Sequence, residues 1–175
     1  MNLQGALSLI RQIPDYPKPG ILFQDITPML ANADAFKVVL IEMAQHSKNA
    51  DVIAGIEARG FIFGSALAAQ TERSFVPIRK SGKLPFDTHS AKYGLEYGTD
   101  EIEIHIDAFL PDQKVLIVDD VLATGGTLLA AIDLTKKCGA QVSGVIVLME
   151  LEFLQGRKII TDKHPEIELI SLVKV

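Results

Sequence analysis

The sequence predicts an α/β fold in which helices flank a mostly parallel central sheet, built as a single domain of 175 residues. Short apolar runs at 115–118 and 144–149 are typical of strands that are covered on both faces of a parallel sheet. Segments with helical spacing lie between such runs, and this alternation is typical of β-α-β units. A chain of this length can bury about 70% of its unfolded surface in one core.

The N-terminal region is predicted to begin with a helix and to continue without regular structure. Residues 3–13 have helical spacing, and Pro14 is expected to end that helix because proline lacks the N–H group that a helix interior uses. Residues 15–28 contain several prolines and are interpreted as an ordered irregular segment.

A second helix is predicted over residues 36–46, and Asp34 is expected to cap its N-terminus. Its apolar residues recur on one face, so we expect Val39, Leu40 and Met43 to point into the core. The strand, helix and strand that follow are predicted at 51–55, 59–70 and 75–78.

Residues 81–98 show no sustained period, and a stretch of this length inside a compact domain is usually functional or mobile. We therefore predict an irregular loop here. Residues 101–107 then alternate polar and apolar side chains, which is typical of a strand with one buried face. His105 falls on the polar face, so it is interpreted as a solvated side chain and not as a ligand.

The segment from Val115 to Thr127 carries the most specific pattern of the chain. Its apolar strand is followed by Asp119 and Asp120, and then by a glycine-rich turn that opens a helix. The N–H groups at a helix start favour a phosphate, and glycines let the backbone close around it. Carboxylates repel phosphate but accept hydrogen bonds from sugar hydroxyls. The pattern predicts a ribose 5-phosphate site. The residues expected to hold its phosphate are Ala123, Thr124, Gly125, Gly126 and Thr127.

Two common phosphate-binding motifs are missing from the sequence, which has neither G-x-x-x-x-G-K-[ST] nor a G-x-G-x-x-G after a strand. For T-G-G-T alone, a solvated acid pair before an ordinary glycine-rich turn is an equally good explanation. The whole thirteen-residue block is far more specific, and it resembles the phosphoribosyl-pyrophosphate signature of the type I phosphoribosyltransferases. That resemblance implies their fold, with an N-terminal hood of about 1–33, a core of about 34–175 and a mobile lid loop.

Two further segments carry cations, and the first of them lies on the expected ligand side of the sheet. Arg59 lies in E-A-R-G-F between a strand and a helix start, and Arg79, Lys80 and Lys83 follow the next strand. Taken alone, Arg59 is most simply explained by a surface salt bridge, and the three cations after the next strand by a run of solvated charges. Both segments resemble the pyrophosphate loop and lid of adenine phosphoribosyltransferases, which implies that these cations bind pyrophosphate.

The lid and the hood hold the residues that the resemblance implies for the base. The run L-E-Y-G at 95–98 matches the family, which implies that Glu96 accepts or relays the N7 proton of adenine while Tyr97 helps to order the lid. By itself, Glu96 would most often be an exposed loop residue. The segment 16–27 resembles the part of the family that covers adenine. The residues implied to contact adenine are Leu22, Phe23, Gln24 and Val121.

Gln24 departs from the family pattern, because an arginine is common at its position. In the family, backbone groups of the hood largely recognise the edge of adenine, so we expect the choice of base to survive the change. The substitution removes any contact that the arginine side chain makes.

The resemblance covers about 16–157 and implies transfer of the 5-phosphoribosyl group from phosphoribosyl pyrophosphate to adenine, giving AMP and pyrophosphate. It implies Mg²⁺ as a cofactor, ligated chiefly by substrate and water and without a metal site made by the protein alone. Two alternatives stay open: a hypoxanthine or xanthine-guanine phosphoribosyltransferase, and a purine-responsive regulator without catalysis. A regulator would be expected to carry an added basic DNA-binding module, which an acidic chain does not favour.

The composition of the chain limits which classes of partner and which cellular compartment we expect. A net charge of −5 and a pI near 5.3 argue against nucleic acid as a partner. The lone Cys138 excludes an intramolecular disulfide, favours a reducing compartment and is interpreted as a small buried helix residue. Neither a secretory signal nor a run of about 18 apolar residues is present, so we expect a cytoplasmic protein without a membrane partner. Since the family is typically dimeric, the resemblance also implies a homodimer.

Overall fold

The computed structural model describes residues 1–95 and 98–175 of the chain. The chain forms two compact units, Met1–Gln45 and His46–Val175. The described part of the larger unit contains a seven-stranded, mostly parallel sheet, so the predicted α/β class is confirmed. The division into a hood of about 1–33 and a core of about 34–175 stays a prediction.

The N-terminal unit contains a β-hairpin. Its elements are, in chain order, α1 (Leu3–Leu7), β1 (Arg11–Pro14), β2 (Leu22–Asp25), α2 (Thr27–Leu30) and α3 (Ala33–Gln45). Strands β1 and β2 pair antiparallel, and an Arg11 nitrogen lies 2.6 Å from the carboxylate of Asp25. Hydrogen bonds from Thr27 and Arg11 lower the pKa of the Asp25 carboxyl to about 2. The hairpin is therefore closed by an ion pair as well as by its backbone ladder.

The prediction for residues 3–28 is wrong in two places. The first helix ends at Leu7, and 11–14 form β1, because pairing with β2 outweighs the weak helical spacing there. The segment 15–28 is also not wholly irregular, since it contains β2 and the start of α2. Two of its prolines, Pro17 and Pro19, lie in the turn between the strands, whereas Pro28 lies in the first turn of α2.

Helix α3 begins three residues earlier than predicted, at Ala33. Its N-terminal cap is Asn32 and not Asp34, because Asn32 Oδ1 accepts the N–H of Ala35 at 3.0 Å. Asp34 lies in the first turn, where its charge complements the helix dipole. The predicted inward residues are buried: Val39, Leu40 and Met43.

The larger unit alternates strands and helices in the order expected for the α/β class. Its described elements are β3 (Val52–Ile56), α4 (Gly60–Gln70), β4 (Ser74–Lys80), β5 (Thr88–Leu95), β6 (Gly98–His105), β7 (Lys114–Leu122), α5 (Gly126–Lys137), β8 (Gln141–Glu150), a 3₁₀ turn (Glu152–Leu154), α6 (Gly156–Lys163) and β9 (Leu169–Lys174). The order across the sheet is β5-β6-β4-β3-β7-β8-β9. Strands β4, β3, β7, β8 and β9 run parallel, while β6 pairs antiparallel with both β4 and β5. The parallel strands therefore bring their carboxyl ends to one edge of the sheet.

The prediction of an irregular loop over 81–98 is wrong in its second part, because 88–95 form β5 and pair with β6. Only 81–87 lack regular structure before the strand. The inward positions of β5 include Ala91 and Tyr93. A small side chain and a ring with a hydroxyl group give a weak alternation signal, so the strand is hard to recognise from the sequence.

The strand predicted at 101–107 is confirmed as β6, which ends at His105. His105 is not simply solvated, as the sequence suggested. Its side chain is half-buried, with Nε2 enclosed and the ring edge-on to Phe86 at 6.1 Å between centroids. Phe86 covers the polar face of the strand at this point. Cys138, expected to be buried, is half-buried at the C-terminal end of α5.

Within the residues that the structure describes, no helix is both long and apolar enough to span a bilayer.

Candidate active site

The predicted phosphate loop, residues 123–127, lies between the carboxyl end of β7 and the start of α5. Gly125 has φ +84°, and a Cβ there would lie only 2.8 Å from the carbonyl oxygen of Gly156. Glycine is thus required both by the conformation and by the close approach. The loop borders a cavity of about 110 Å³. Its lining includes Asp119, Val121, Ala123, Thr124, Gly125 and Thr127.

Two buried carboxylates, Asp119 and Asp120, follow the apolar run of β7. Asp119 Oδ1 accepts the N–H of Asp120 at 2.8 Å, and Asp120 Oδ2 lies 2.8 Å from Arg59 Nε. Burial, and then repulsion by Asp120, raise the pKa of Asp119 well above its usual range. Burial also raises the pKa of Asp120, although the charge of Arg59 opposes it. Hydroxyl groups that donate to this pair would stabilise its ionised form.

Helix α4 comes close to the end of β7 at Gly60. A Cβ on Gly60 would lie 2.8 Å from the carbonyl oxygen of Val118 and 2.9 Å from Asp119 Oδ1. Arg59, which immediately precedes the helix, is therefore placed beside the two carboxylates. The structure thus gathers Arg59, the carboxylate pair and the phosphate loop at one edge of the sheet.

Glu57 binds the side chain of Arg79 and the backbone of Lys80 at the end of β4. Its Oε2 accepts from Arg79 Nε at 3.1 Å and from the backbone N–H of Lys80 at 3.0 Å. Arg79 also donates to the carbonyl of Lys83 at 3.1 Å. Burial opposes ionisation of Glu57, but the hydrogen bonds from Arg79 and Lys80 outweigh it and lower the pKa of Glu57. Glu57 therefore fixes the direction of the Arg79 guanidinium.

The Lys80 ammonium is bound to the lid hairpin, which we define as β5 and β6. It donates to the Tyr93 hydroxyl at 2.7 Å and forms an ion pair with Asp100. Tyr93 in turn donates to Asp100 at 3.0 Å. Burial opposes the charge of Lys80, but these hydrogen bonds raise the pKa of Lys80 above its ordinary value. Lys83, the third predicted cation, is exposed.

Sequence reasoning did not identify Glu57, Tyr93 and Asp100 as residues that organise the cations. Glu57 could have been found, because it lies in the E-A-R-G-F segment beside Arg59. Tyr93 and Asp100 face each other across the register of β5 and β6. Their pairing could not be found without first recognising β5 as a strand.

The remaining predicted residues fall in three places. Val121 lines the cavity beside the phosphate loop. Leu22, Phe23 and Gln24 lie on β2 in the N-terminal unit, where Gln24 is buried and Leu22 is exposed. The predictions for Glu96 and Tyr97 concern residues outside those that the structure describes.

Comparisons with known proteins point to one family. Residues 27–173 match the family model of the phosphoribosyl transferase domain. The adenine phosphoribosyltransferase of Acidobacterium capsulatum is 46% identical over 175 residues, which is 99% of this chain and 94% of that protein. The crystal structure of adenine phosphoribosyltransferase from Thermoanaerobacter pseudethanolicus has a TM-score of 0.92 at 49% identity, covering 99% of this chain and 100% of that one. The Saccharomyces cerevisiae enzyme, complexed with an imino-altritol bisphosphate and adenine, has a TM-score of 0.91 at 36% identity over 97% of each chain.

Proposed function

The chain belongs to the phosphoribosyltransferase family, and from this premise we propose that it transfers the 5-phosphoribosyl group of phosphoribosyl pyrophosphate to adenine, giving AMP and pyrophosphate. The observation that carries the proposal is the buried pair Asp119 and Asp120 beside the phosphate loop. Adenine in the structure of the yeast relative supports the choice of base. The reaction belongs to purine salvage, because it returns a free base to a nucleotide.

The phosphate loop and the carboxylate pair are proposed to hold the ribose 5-phosphate. Ala123, Thr124, Gly125, Gly126 and Thr127 would bind the phosphate through N–H groups and threonine hydroxyls. Asp119 and Asp120 would accept hydrogen bonds from the ribose hydroxyls, and those donors favour the ionised form that burial opposes. In this arrangement the loop donates hydrogen bonds to the phosphate, and the carboxylates accept hydrogen bonds from the ribose hydroxyls.

Arg59, Arg79, Lys80 and Lys83 are proposed to stabilise the charge that develops on pyrophosphate as it leaves the anomeric carbon. Glu57 keeps Arg79 oriented for this purpose. Lys80 would have to exchange its contacts with Asp100 and Tyr93 for the leaving group. Since the family is typically dimeric, we also propose a homodimer, in which some of these cations can serve the neighbouring subunit.

Mg²⁺ is proposed to enter with the substrate. Among the side chains that the structure describes, no three histidine, cysteine, aspartate or glutamate residues form a metal-binding group. The oxygen-rich surroundings of Asp119 and Asp120 nevertheless suit this oxygen-seeking ion, which the pair would hold chiefly through the ribose hydroxyls. When bound, Mg²⁺ neutralises part of the pyrophosphate charge.

The base is proposed to contact Leu22 and Gln24 at its edge and Phe23 and Val121 at its faces. Glu96 is proposed to accept or relay the N7 proton as N9 attacks, and Tyr97 to help order the lid. Adenine presents a donor at its 6-amino group and an acceptor at N1, whereas hypoxanthine and guanine reverse both. A site matched to one pattern leaves buried groups unpaired with the other, which is worth about 10⁴-fold in selectivity. We propose the cytoplasm as the compartment, supported by the single free Cys138.

The proposal is tested by incubating the protein with phosphoribosyl pyrophosphate and Mg²⁺ together with adenine, hypoxanthine or guanine in parallel. AMP from adenine alone is the expected product. IMP or GMP instead would retain the phosphoribosyl site but contradict the choice of base. Binding of phosphoribosyl pyrophosphate without any product would contradict catalysis and favour a regulator.

A further inference from the structure

Close to the phosphate loop, three side chains are hydrogen-bonded to one another. Glu150, the last residue of β8, is only 3% exposed. Arg157, at the start of α6, places Nε 2.9 Å from Glu150 Oε1 and Nη2 2.5 Å from Oε2. Ser171 on β9 donates to Glu150 Oε2 at 2.7 Å and accepts from Arg157 Nη2 at 2.8 Å. We name these three residues the backing network.

The backing network attaches the first turn of α6 to two strands. Arg157 also donates to the carbonyl of Leu169 on β9 at 2.7 Å. The hydrogen bond from Arg157 lowers the pKa of Glu150 although burial opposes ionisation, so the buried carboxylate stays charged and paired. A forked guanidinium that bonds a carboxylate, a hydroxyl and a carbonyl has one allowed position. The residue before Arg157 is therefore held with it.

That preceding residue, Gly156, touches the phosphate loop with its backbone. A Cβ on Gly156 would collide with the carbonyl oxygen of Ala123 and lie 2.8 Å from the nitrogen of Gly125. In return, a Cβ on Gly125 would lie 2.8 Å from the carbonyl oxygen of Gly156. The N–H of Leu151, the residue after β8, donates to the carbonyl of Leu122 at 2.9 Å, and Leu122 is the last residue of β7 before the loop.

We propose that the backing network positions the phosphate loop: it holds Gly156 against the loop backbone and so fixes the N–H groups that bind the 5-phosphate. This rests on the proposed function, because the network acts only through that site. The residues described as lining the cavity of about 110 Å³ do not include Glu150, Arg157 or Ser171. They are positioning residues and not catalytic ones.

The variant Arg157→Lys tests the proposal, because lysine keeps the positive charge but cannot bond three acceptors in a planar fork. We expect the KM for phosphoribosyl pyrophosphate and the Kd for ribose 5-phosphate to rise about tenfold, while kcat at saturation and the KM for adenine stay within about twofold. A purely structural role would lower the melting temperature and the active fraction, and so the apparent kcat, without raising that KM.

Arg73→Lys is the matched control. Arg73 also bonds main-chain acceptors, with Nε 2.6 Å from the carbonyl oxygen of Ala50 and Nη1 3.0 Å from that of Thr71. It lies just before β4, at the amino end of the parallel strands and opposite the phosphate loop. We expect this variant to lose stability with no change in the KM for phosphoribosyl pyrophosphate.

The outcomes separate the two proposals. If the wild-type protein makes AMP and folded Arg157→Lys shows an unchanged KM and an unchanged Kd for ribose 5-phosphate, the positioning role is wrong. If the wild-type protein makes no AMP, the proposed function is wrong, and the ribose 5-phosphate titration still decides the positioning role.

If Arg157→Lys does not fold, Ser171→Ala is the second variant, because it leaves the ion pair between Arg157 and Glu150 in place. We expect it to weaken the binding of ribose 5-phosphate about threefold. No weakening in that variant would overturn the proposal.

Discussion

Asp119 is the residue whose proposed role in substrate binding most directly reduces the stability of the folded protein. It is buried against Asp120, and both burial and that neighbouring charge raise the pKa of Asp119 above its ordinary value of 3.8. The folded state therefore holds a proton more tightly than the unfolded state does. Stability consequently falls as the pH rises from the unfolded value through the raised folded one.

We expect Asp119→Asn to raise the free energy of unfolding by about 1 kcal/mol near neutral pH and to lower AMP formation at least about 100-fold. Asparagine keeps an oxygen that can accept the N–H of Asp120 but removes the repelled charge. Urea unfolding at about pH 4 and about pH 7.5 measures the effect, and the gain should shrink at the lower pH, because protonation of Asp119 removes the repelled charge from the wild-type protein.

Asp162→Asn is the control for Asp119→Asn, because Asp162 is exposed on α6. We expect a change within about 0.5 kcal/mol at both pH values and unchanged activity. Equal stability of Asp119→Asn and the wild-type protein near neutral pH would show that the carboxylate pair is not under electrostatic repulsion.

Among the elements, α4 and β7 meet so closely that only glycine fits between them. Gly60→Ala would push a methyl group to 2.8 Å from the carbonyl oxygen of Val118 and 2.9 Å from Asp119 Oδ1. We expect a loss of about 2 kcal/mol in the free energy of unfolding, together with a higher KM for phosphoribosyl pyrophosphate because Asp119 must move. Chemical denaturation and steady-state kinetics measure the two effects.

Gly144→Ala on β8 is the matched control for Gly60→Ala. Its added Cβ would lie 3.4 Å from the nearest atoms, the carbonyl oxygen of Glu168 and a methyl group of Leu116, which is ordinary contact. We expect a change in stability below about 1 kcal/mol and no change in KM. If the two variants behave alike, the close approach of α4 does not position the carboxylate.

Glu96, which falls between β5 and β6 in the sequence, is the proposed proton acceptor of the reaction. We expect Glu96→Gln to lower kcat by about 100-fold without reducing stability, because an amide cannot accept or relay the proton of the base. Glu101→Gln, on β6 of the same hairpin, should leave kcat within about twofold. Single-turnover measurements make chemistry the observed step. An unchanged rate for Glu96→Gln under those conditions would exclude Glu96 from the mechanism.

At the scale of the whole molecule, product binding should stabilise the fold through the phosphate loop. AMP at about 100 times its Kd is expected to add about 2.7 kcal/mol to the free energy of unfolding. Adenosine at the same concentration lacks the phosphate and should add far less. Thermal unfolding with each ligand measures the difference, and equal stabilisation by both would show that the loop does not hold the phosphate.

The strands show which parts of the fold can be predicted from the sequence. Strands β3 and β7 are covered on both faces, so their apolar runs predict them directly. The sequence predicts a helix where β1 lies, because β1 pairs with β2 across a turn and such pairing leaves no local period. Strand β5 is hard to predict for a related reason, since Ala91 and Tyr93 mark its inner face only weakly.

Some parts of the candidate site can likewise be predicted from the sequence, and others cannot. Asp119 and Asp120 and the phosphate loop are contiguous in sequence, so their shared edge of the sheet could be predicted from one strand and one helix start. The contacts of Lys80 could not, because they depend on the register that sets Tyr93 opposite Asp100. The sequence thus predicts groups that are proposed to touch substrate, but it does not reveal the residues that hold these groups in place.

The pairing of the lid has a thermodynamic consequence. Ordering a flexible chain costs roughly 1–2 kcal/mol per residue in backbone conformational entropy. Residues 88–95 are hydrogen-bonded to 98–105, so most of the lid has already lost that entropy when the protein folds. The residues 81–87 lie outside this pairing, although Ser81 and Gly82 also donate hydrogen bonds to β6. Under the proposed function, less of the free energy gained from pyrophosphate contacts would be spent on ordering the lid, and more of it would lower the barrier to transfer.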